Sequence, residues 1–246
     1  MAVATPAPTH YEIASKALQA GKDVFVEKPM TLKKDEAARL VELAEEKDRI
    51  LMVGHLLLYQ PAIQWIKSQL NEGLLGKLFS LHQERVKLGR ARYVENVTWS
   101  LGVHDLAVLL YLVDEEPEKV FASGHCGLTE EVEDDVYVHL GFPSGIKAHL
   151  HNSWLWPENR RGLTIVRERG MLVYDEVNQR VIHHRKTIDK DLQNQDFGEE
   201  IVFTGSGQPL KIELQHFLEC CVSRQQPISD GRNGLKVISA LERISY

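Results

Sequence analysis

Short apolar runs alternate with helix-spaced apolar stripes along the first 55 residues of the chain. Residues 2–4 read as the end of a buried strand, and Thr5-Pro6-Ala7-Pro8 as the loop that leaves it. Thr9-His10-Tyr11-Glu12 has the form of a capping box, in which a hydroxyl and a carboxylate serve free N–H groups at a helix start. Ala14, Ala17 and Leu18 supply that helix with an apolar stripe, and Gly21 ends it. A strand is expected at 24–26. A second helix follows, with Asp35 and Glu36 placed to favour its positive end and Ala37, Leu40, Val41 and Ala44 on one face. Residues 50–53 form a third strand, ending at Gly54-His55. This βαβαβ rhythm implies parallel strands covered by helices, half of a doubly wound sheet.

The pattern changes after Leu56. A helix is predicted over 61–70 with Ile63, Ile66 and Leu70 inward, closed by Gly73 and Gly76. Residues 78–86 alternate like a strand, and 99–112 read as a helix apolar nearly all round, hence buried. Strand-like runs follow at 120–121, 136–142, 147–154, 164–166 and 171–174, two of them joined by the turn Pro143-Ser144-Gly145. The polar segment 186–200 reads as a loop, and closing helices are expected over 209–222 and 231–244. Strands gathered after helices point to an α+β domain with an open, mostly antiparallel sheet. The predicted organisation is half of a doubly wound α/β domain over 1–55, a second α/β domain over 56–230, and a last helix over 231–246 packing back on the first.

Composition narrows the classes without naming a function. The 246 residues are 43% hydrophobic and 26% charged, typical of a globular chain with a sizeable core. The formal charge of −6 is spread along the sequence, and no basic patch interleaved with aromatics points to nucleic acid. No apolar run approaches the ~20 residues of a membrane span, and the N-terminus lacks the pattern of a signal peptide. Cys126, Cys220 and Cys221 make neither a disulfide framework nor a zinc spacing, which suits a reducing cytoplasm.

Chemistry is expected where the strands end, because ligands of open α/β sheets sit outside the carboxyl ends of the strands. Lys28, in Glu27-Lys28-Pro29, stands at such an end, and Pro29 stiffens the backbone that aims it. Its plainer reading is a solvated strand-end lysine, just as His104, on an apolar helix, reads first as a satisfied core histidine. His149 and His151 share a strand face, but no nearby carboxylate or cysteine cluster completes a metal site, so no metal is expected.

Taken in order, Ala4-Thr5-Pro6 with His10, Glu27-Lys28-Pro29, Gly54-His55 with Tyr59-Gln60-Pro61, Gly102-Val103-His104, Ser153-Trp154, Gly170 before a strand, and Pro209-Leu210 opening a helix resemble the Gfo/Idh/MocA family of NAD(P)-dependent sugar oxidoreductases. The segment 54–59 is similar to the branch acting on UDP-amino sugars. The resemblance implies a Rossmann domain followed by an α/β domain whose open sheet mediates a homo-oligomer. It implies NAD or NADP as cofactor and a sugar or UDP-sugar as substrate. It casts His104 as the base that takes a hydroxyl proton and Lys28 as the ammonium that stabilises the same oxygen as the hydride leaves.

The resemblance further implies cofactor contacts from Thr5, Pro6, His10, Glu27, Lys28 and Pro29. Substrate contacts are implied for His55, Tyr59, Arg90, Arg92, Asn96, Trp99, Ser100 and Trp154. Taken singly, Thr5, Pro6 and His10 also read as loop and cap, the two arginines as solvated loop, and Trp154 as core or subunit interface. Many members carry an aspartate four residues before the helix histidine, where this chain has Ser100, which cannot stabilise an imidazolium by charge. Asp105 follows His104 directly and points about 100° away on an α-helix.

Gly205-Ser206-Gly207 lacks the third glycine of a dinucleotide fingerprint and reads as a loop. In the family that fingerprint lies in the first βα turn, so two βα units, roughly 60–75 residues, are expected ahead of Met1. The alternative to an enzyme is a sugar-binding or subunit-assembly protein derived from the same lineage.

Overall fold

The computed structural model describes residues 1–73, 75–205 and 207–244. Ser206, inside the sequence's glycine pair, and the last two residues of the predicted closing helix segment lie outside the described residues. The chain divides into two compact units. The first comprises Met1–Gln60, Leu106–Tyr111 and Gly207–Tyr246; the second comprises Pro61–Asp105 and Leu112–Ser206.

In the first unit, β1 (Ala2–Val3), β2 (Val24–Glu27) and β3 (Leu51–Gly54) form a parallel sheet in that order, with Val3 opposite Val26 and Glu27 opposite Gly54. Between them run α1 (His10–Gln19) and α2 (Lys34–Glu46), whose buried faces carry the predicted Ala14, Ala17 and Leu18, and Ala37, Leu40, Val41 and Ala44. The two closing helices, α5 (Pro209–Ser223) and α6 (Gly231–Ile244), both fall in this unit, whereas the sequence suggested only the last one there. α6 packs on α2 and β3, and α5 on the short 3-10 turn Leu56–Tyr59. Leu18, Leu40, Met52 and Leu241 are fully sealed. Burying each such side chain stabilises the fold by ~1.5–3 kcal/mol.

The capping box at Thr9 is not formed. A 3-10 turn (Ala7–Thr9) leads directly into α1, so Thr9 already has helical dihedrals and makes no side-chain cap. Its hydroxyl instead donates to the Pro6 carbonyl at 2.8 Å, and Glu12 pairs with Lys16.

The second unit holds an eight-stranded sheet. Its strands are β4 (Leu78–Leu88), β5 (Lys119–His125), β6 (Asp135–Gly141), β7 (Lys147–Ser153), β8 (Leu155–Arg167), β9 (Gly170–Asp175), β10 (Arg180–Ile188) and β11 (Asn194–Thr204). The order is β11-β10-β9-β8-β4-β7-β6-β5, antiparallel except for the β4–β7 pair. In β6, Val136, Val138 and Leu140 are buried while Tyr137 and His139 are exposed, the period of a sheet covered on one face. α3 (Pro61–Glu72) buries Ala62, Ile63 and Ile66, with Leu70 only half-buried.

Two departures from the sequence reading stand out. Residues 186–200, expected as a loop, form most of the β10–β11 hairpin, turned at Asp189, whose side chain accepts from the Asp191 and Gln193 N–H groups. The predicted helix over 99–112 opens with a π-helical turn, Thr98–Gly102, before α4 (Val103–Val113) begins. The strands at 120–121 and 164–166 are also longer than expected, reaching Lys119–His125 and Leu155–Arg167.

Candidate functional site

In the first unit the carboxyl ends of β1, β2 and β3 place three loops side by side, because the strands are parallel and nearly in register. Thr5 and Pro6, exposed, leave β1. Lys28 leaves β2, half-buried, and its bond to the buried Pro29 is cis. His55 leaves β3 and is 2% exposed. The Glu27 carboxylate accepts the Lys28 N–H at 3.3 Å and lies over Gly54, where an added Cβ would stand 3.1 Å from Glu27 Oε2. Glycine at 54 therefore leaves the room that Glu27 occupies.

The His55 side chain is sealed from solvent at the β3 exit. Neither of its ring nitrogens has a hydrogen-bond partner among the described residues. Burial, and secondly the positive charge of Lys28, hold its pKa down at about 3, so the ring is neutral at physiological pH. Buried side-chain polar atoms without a hydrogen-bond partner are uncommon, which makes the β3 exit a candidate site.

Two residues expected to touch ligands are engaged elsewhere. His10 is 1% exposed, and both its ring nitrogens face main-chain carbonyls, Thr5 O at 2.7 Å and Pro29 O at 2.8 Å. Tyr59 is 2% exposed; its hydroxyl bonds Ser229 Oγ at 2.8 Å, and Ser229 in turn donates to the Val53 carbonyl at 2.7 Å. Burial pushes the Tyr59 hydroxyl well above its ordinary pKa, which suits a structural bond rather than proton transfer.

Sequence reasoning missed Glu213. It lies on α5, 1% exposed, with Oε1 unpartnered, and burial followed by the nearby Glu27 carboxylate pushes its pKa up to about 8. The signal was present: Glu213, Phe217 and Cys220 recur at i, i+4 and i+7 as the buried stripe of α5, and one member of that stripe is an acid.

In the second unit His104 is half-buried on the first turn of α4. Ser100 lies in the π-helical turn before it, 4% exposed, its hydroxyl donating to Val97 O at 3.3 Å. A π-helical turn spaces its bonds by five residues, so Ser100 is not one α-helical turn beneath His104. Asn96 Oδ1 accepts the Trp99 N–H at 3.0 Å while its amide donates to Glu133 at 3.0 Å. Arg90 and Arg92 are exposed, the latter paired with Glu95. Trp154 is 3% exposed, its N–H and C=O both used by the main chain at the β7–β8 bend, which makes it core.

Asp105 points into the unit. Its carboxylate accepts from Arg85 Nε at 2.9 Å, Gln83 at 3.1 Å and Asn152 at 2.7 Å, and Arg85 also grips Glu176 through both terminal nitrogens. Burial works against the Arg85 charge, but the Asp105 and Glu176 carboxylates outweigh it and raise its pKa. On the second sheet His149 meets the exposed His139, and the buried His151 meets Asp135 at 3.2 Å. Among the described residues no group of three or more such side chains could hold a metal ion.

Residues 1–55 match the family model described as an oxidoreductase family with an NAD-binding Rossmann fold, and residues 63–173 match the GFO/IDH/MocA C-terminal domain. The chain is similar to a UDP-N-acetylglucosamine 3-dehydrogenase of Acidithiobacillus ferrooxidans, 29% identical over 244 residues, covering 98% of this chain and 75% of that protein. A solved structure of that enzyme superposes with a TM-score of 0.86 at 27% identity, covering 99% of this chain and 76% of that one. Another relative, a 2,7-anhydro-N-acetylneuraminate hydratase of Escherichia coli, is 30% identical over 175 residues, 64% of this chain and 46% of that protein. Motif order, a three-stranded parallel sheet, a mostly antiparallel second sheet and these matches agree: the chain belongs to the Gfo/Idh/MocA family of oxidoreductases.

Proposed function

We propose that this chain acts in hydride transfer between NAD(P) and a hydroxyl of a sugar or nucleotide-linked sugar. The observation that carries this reading is the exit of β2, where half-buried Lys28 stands beside the buried, unpartnered His55. The relative named as acting on UDP-N-acetylglucosamine supports UDP-amino sugars as the substrate class.

When bound, the nicotinamide supplies the hydride acceptor. Thr5, Pro6, Glu27, Lys28 and Pro29 stand where they would border it; the sequence holds no G-x-G-x-x-G to cradle its phosphates. The Lys28 ammonium stabilises negative charge on the reacting oxygen, and the family resemblance implies for His104 the role of the base that takes a hydroxyl proton. His55 donates or accepts one hydrogen bond to the ligand at the β3 exit. Asn96, Trp99 and Ser100 border the substrate, with Arg90 and Arg92 offering charge to a diphosphate. The exposed face of the eight-stranded sheet pairs with a second copy, which light scattering checks. Three cysteines without disulfides fit a reducing cytoplasm.

Titration of the purified protein with NADH, followed by nicotinamide fluorescence, tests the reading. Saturable binding that weakens at least about tenfold in Lys28→Ala supports it. No binding by the folded protein, with UDP-sugar binding retained, favours the sugar-binding alternative.

A further inference from the structure

We propose that His10 is a positioning residue, a doubly protonated imidazole that clamps two strand exits together and so fixes the backbone that carries Lys28. The proposal rests on reading Lys28 as a reacting-site residue. His10 opens α1 yet reaches both neighbouring loops: Nε2 stands 2.7 Å from Thr5 O, at the exit of β1, and Nδ1 2.8 Å from Pro29 O, directly after Lys28. A carbonyl oxygen only accepts, so both contacts must be donations from the ring. Neutral imidazole has a single N–H; the ring satisfies both carbonyls only when each nitrogen carries a proton. With one proton missing, a nitrogen lone pair of His10, itself 1% exposed, would face a carbonyl lone pair at hydrogen-bond distance.

The clamp has a geometric consequence. On one side of Lys28 the chain is held in register by the pairing of Glu27 with Gly54. On the other it is held by His10 through the Pro29 carbonyl. Thr5 Oγ1 and Thr9 Oγ1, 2.7 Å apart, brace the β1 exit from the outside. Charged or titratable side chains on the surrounding elements include Tyr11, Glu12 and Lys16 on α1, the last two paired with each other, Glu27 and Lys28 at the β2 exit, and His55 at the β3 exit. Both hydrogen-bond partners of the His10 ring are main-chain groups, so the positive charge is met by carbonyl dipoles.

NMR of protein labelled with ¹⁵N-histidine tests the clamp, the His10 signals being assigned by their loss in His10→Phe. Near neutral pH, where free imidazole is largely unprotonated, both His10 nitrogens should show protonated shifts and N–H protons protected from solvent. A bare nitrogen would overturn the proposal. The positioning role is read by hydrogen exchange: in His10→Phe the amides of Lys28, Met30, Thr31 and Leu32 should exchange at least about fivefold faster, with those of α2 and α6 unchanged. Unchanged exchange in that loop would equally overturn it. Should His10→Phe not fold, His10→Gln, a polar replacement of smaller volume, carries both the assignment and the exchange measurement. Doubly protonated His10 and a released loop in a protein that binds no NADH would uphold the clamp and reject the catalytic reading.

Discussion

Arg85 and Asp105 form an ion pair sealed from water, with Nε donating to Oδ1 at 2.9 Å and the carboxylate wholly buried. The pair ties the start of α4 to the centre of the eight-stranded sheet, one residue from His104. Removing one partner of such a pair strands the other charge, which costs about 3–5 kcal/mol. Arg85→Leu would strand Asp105 and leave Glu176 only the longer Arg161 contact at 3.7 Å, so a loss within that range is expected in chemical denaturation.

Gly102 lets the π-helical turn approach β7. An added Cβ would stand 2.5 Å from Asn152 Oδ1 and 2.9 Å from Thr98 Cγ2. Asn152 also donates to Asp105, so it is not free to move away. Gly102→Ala should therefore destabilise the protein by about 1–3 kcal/mol through overpacking. A shift of the His104 signals in the NMR spectrum should accompany the loss.

Glu213 should make the protein less stable in mild alkali. Burial, with help from Glu27, raises its folded pKa from 4.5 to about 8. Above pH 4.5 the unfolded chain releases this proton while the folded one keeps it. The contribution is thus complete below about 4.5 and is lost as pH rises through about 8, on the order of 4 kcal/mol across the window. Glu213→Gln keeps the shape without the proton, and its stability between about pH 5 and about pH 8 should fall less than that of the wild type.

His55 should set an acid limit. Its folded pKa lies at about 3 against an ordinary 6.5, so the stability it contributes is present above about 6.5 and lost as pH falls toward 3. His55→Leu has no proton to gain, and acid unfolding followed by circular dichroism should begin at lower pH. Lys28→Met removes the lesser cause of the shift, so most of the depression should survive it.

The helices and central strands were legible because burial and period coincide there. Ala37, Leu40, Val41 and Ala44 point one way on α2, and the continuous apolar runs of β2 and β3 are buried on both faces. The β10–β11 hairpin was not legible: β11 exposes nearly all its side chains at the sheet edge, so no apolar alternation marks it. Thr9 has the spacing of a cap, but the 3-10 turn ahead of it had already satisfied the local backbone. The bonds His10 makes were not legible for a different reason. Its residue type suits a ligand, and only the folded chain brings Pro29 O, nineteen positions away, to its second nitrogen.

By itself, the sequence determined the order of strands and helices outside the β10–β11 hairpin, the family motifs and the placing of Lys28 at a strand end. These depend on side-chain period and on residues close along the chain. Tertiary structure alone decided which polar groups are engaged: Asp105 with Arg85 and Asn152, Tyr59 with Ser229, His10 between two carbonyls. It also left His55 and Glu213 buried without full partners. Hydrogen bonding and desolvation depend on what packs against a group from distant parts of the chain, and no local pattern carries that information.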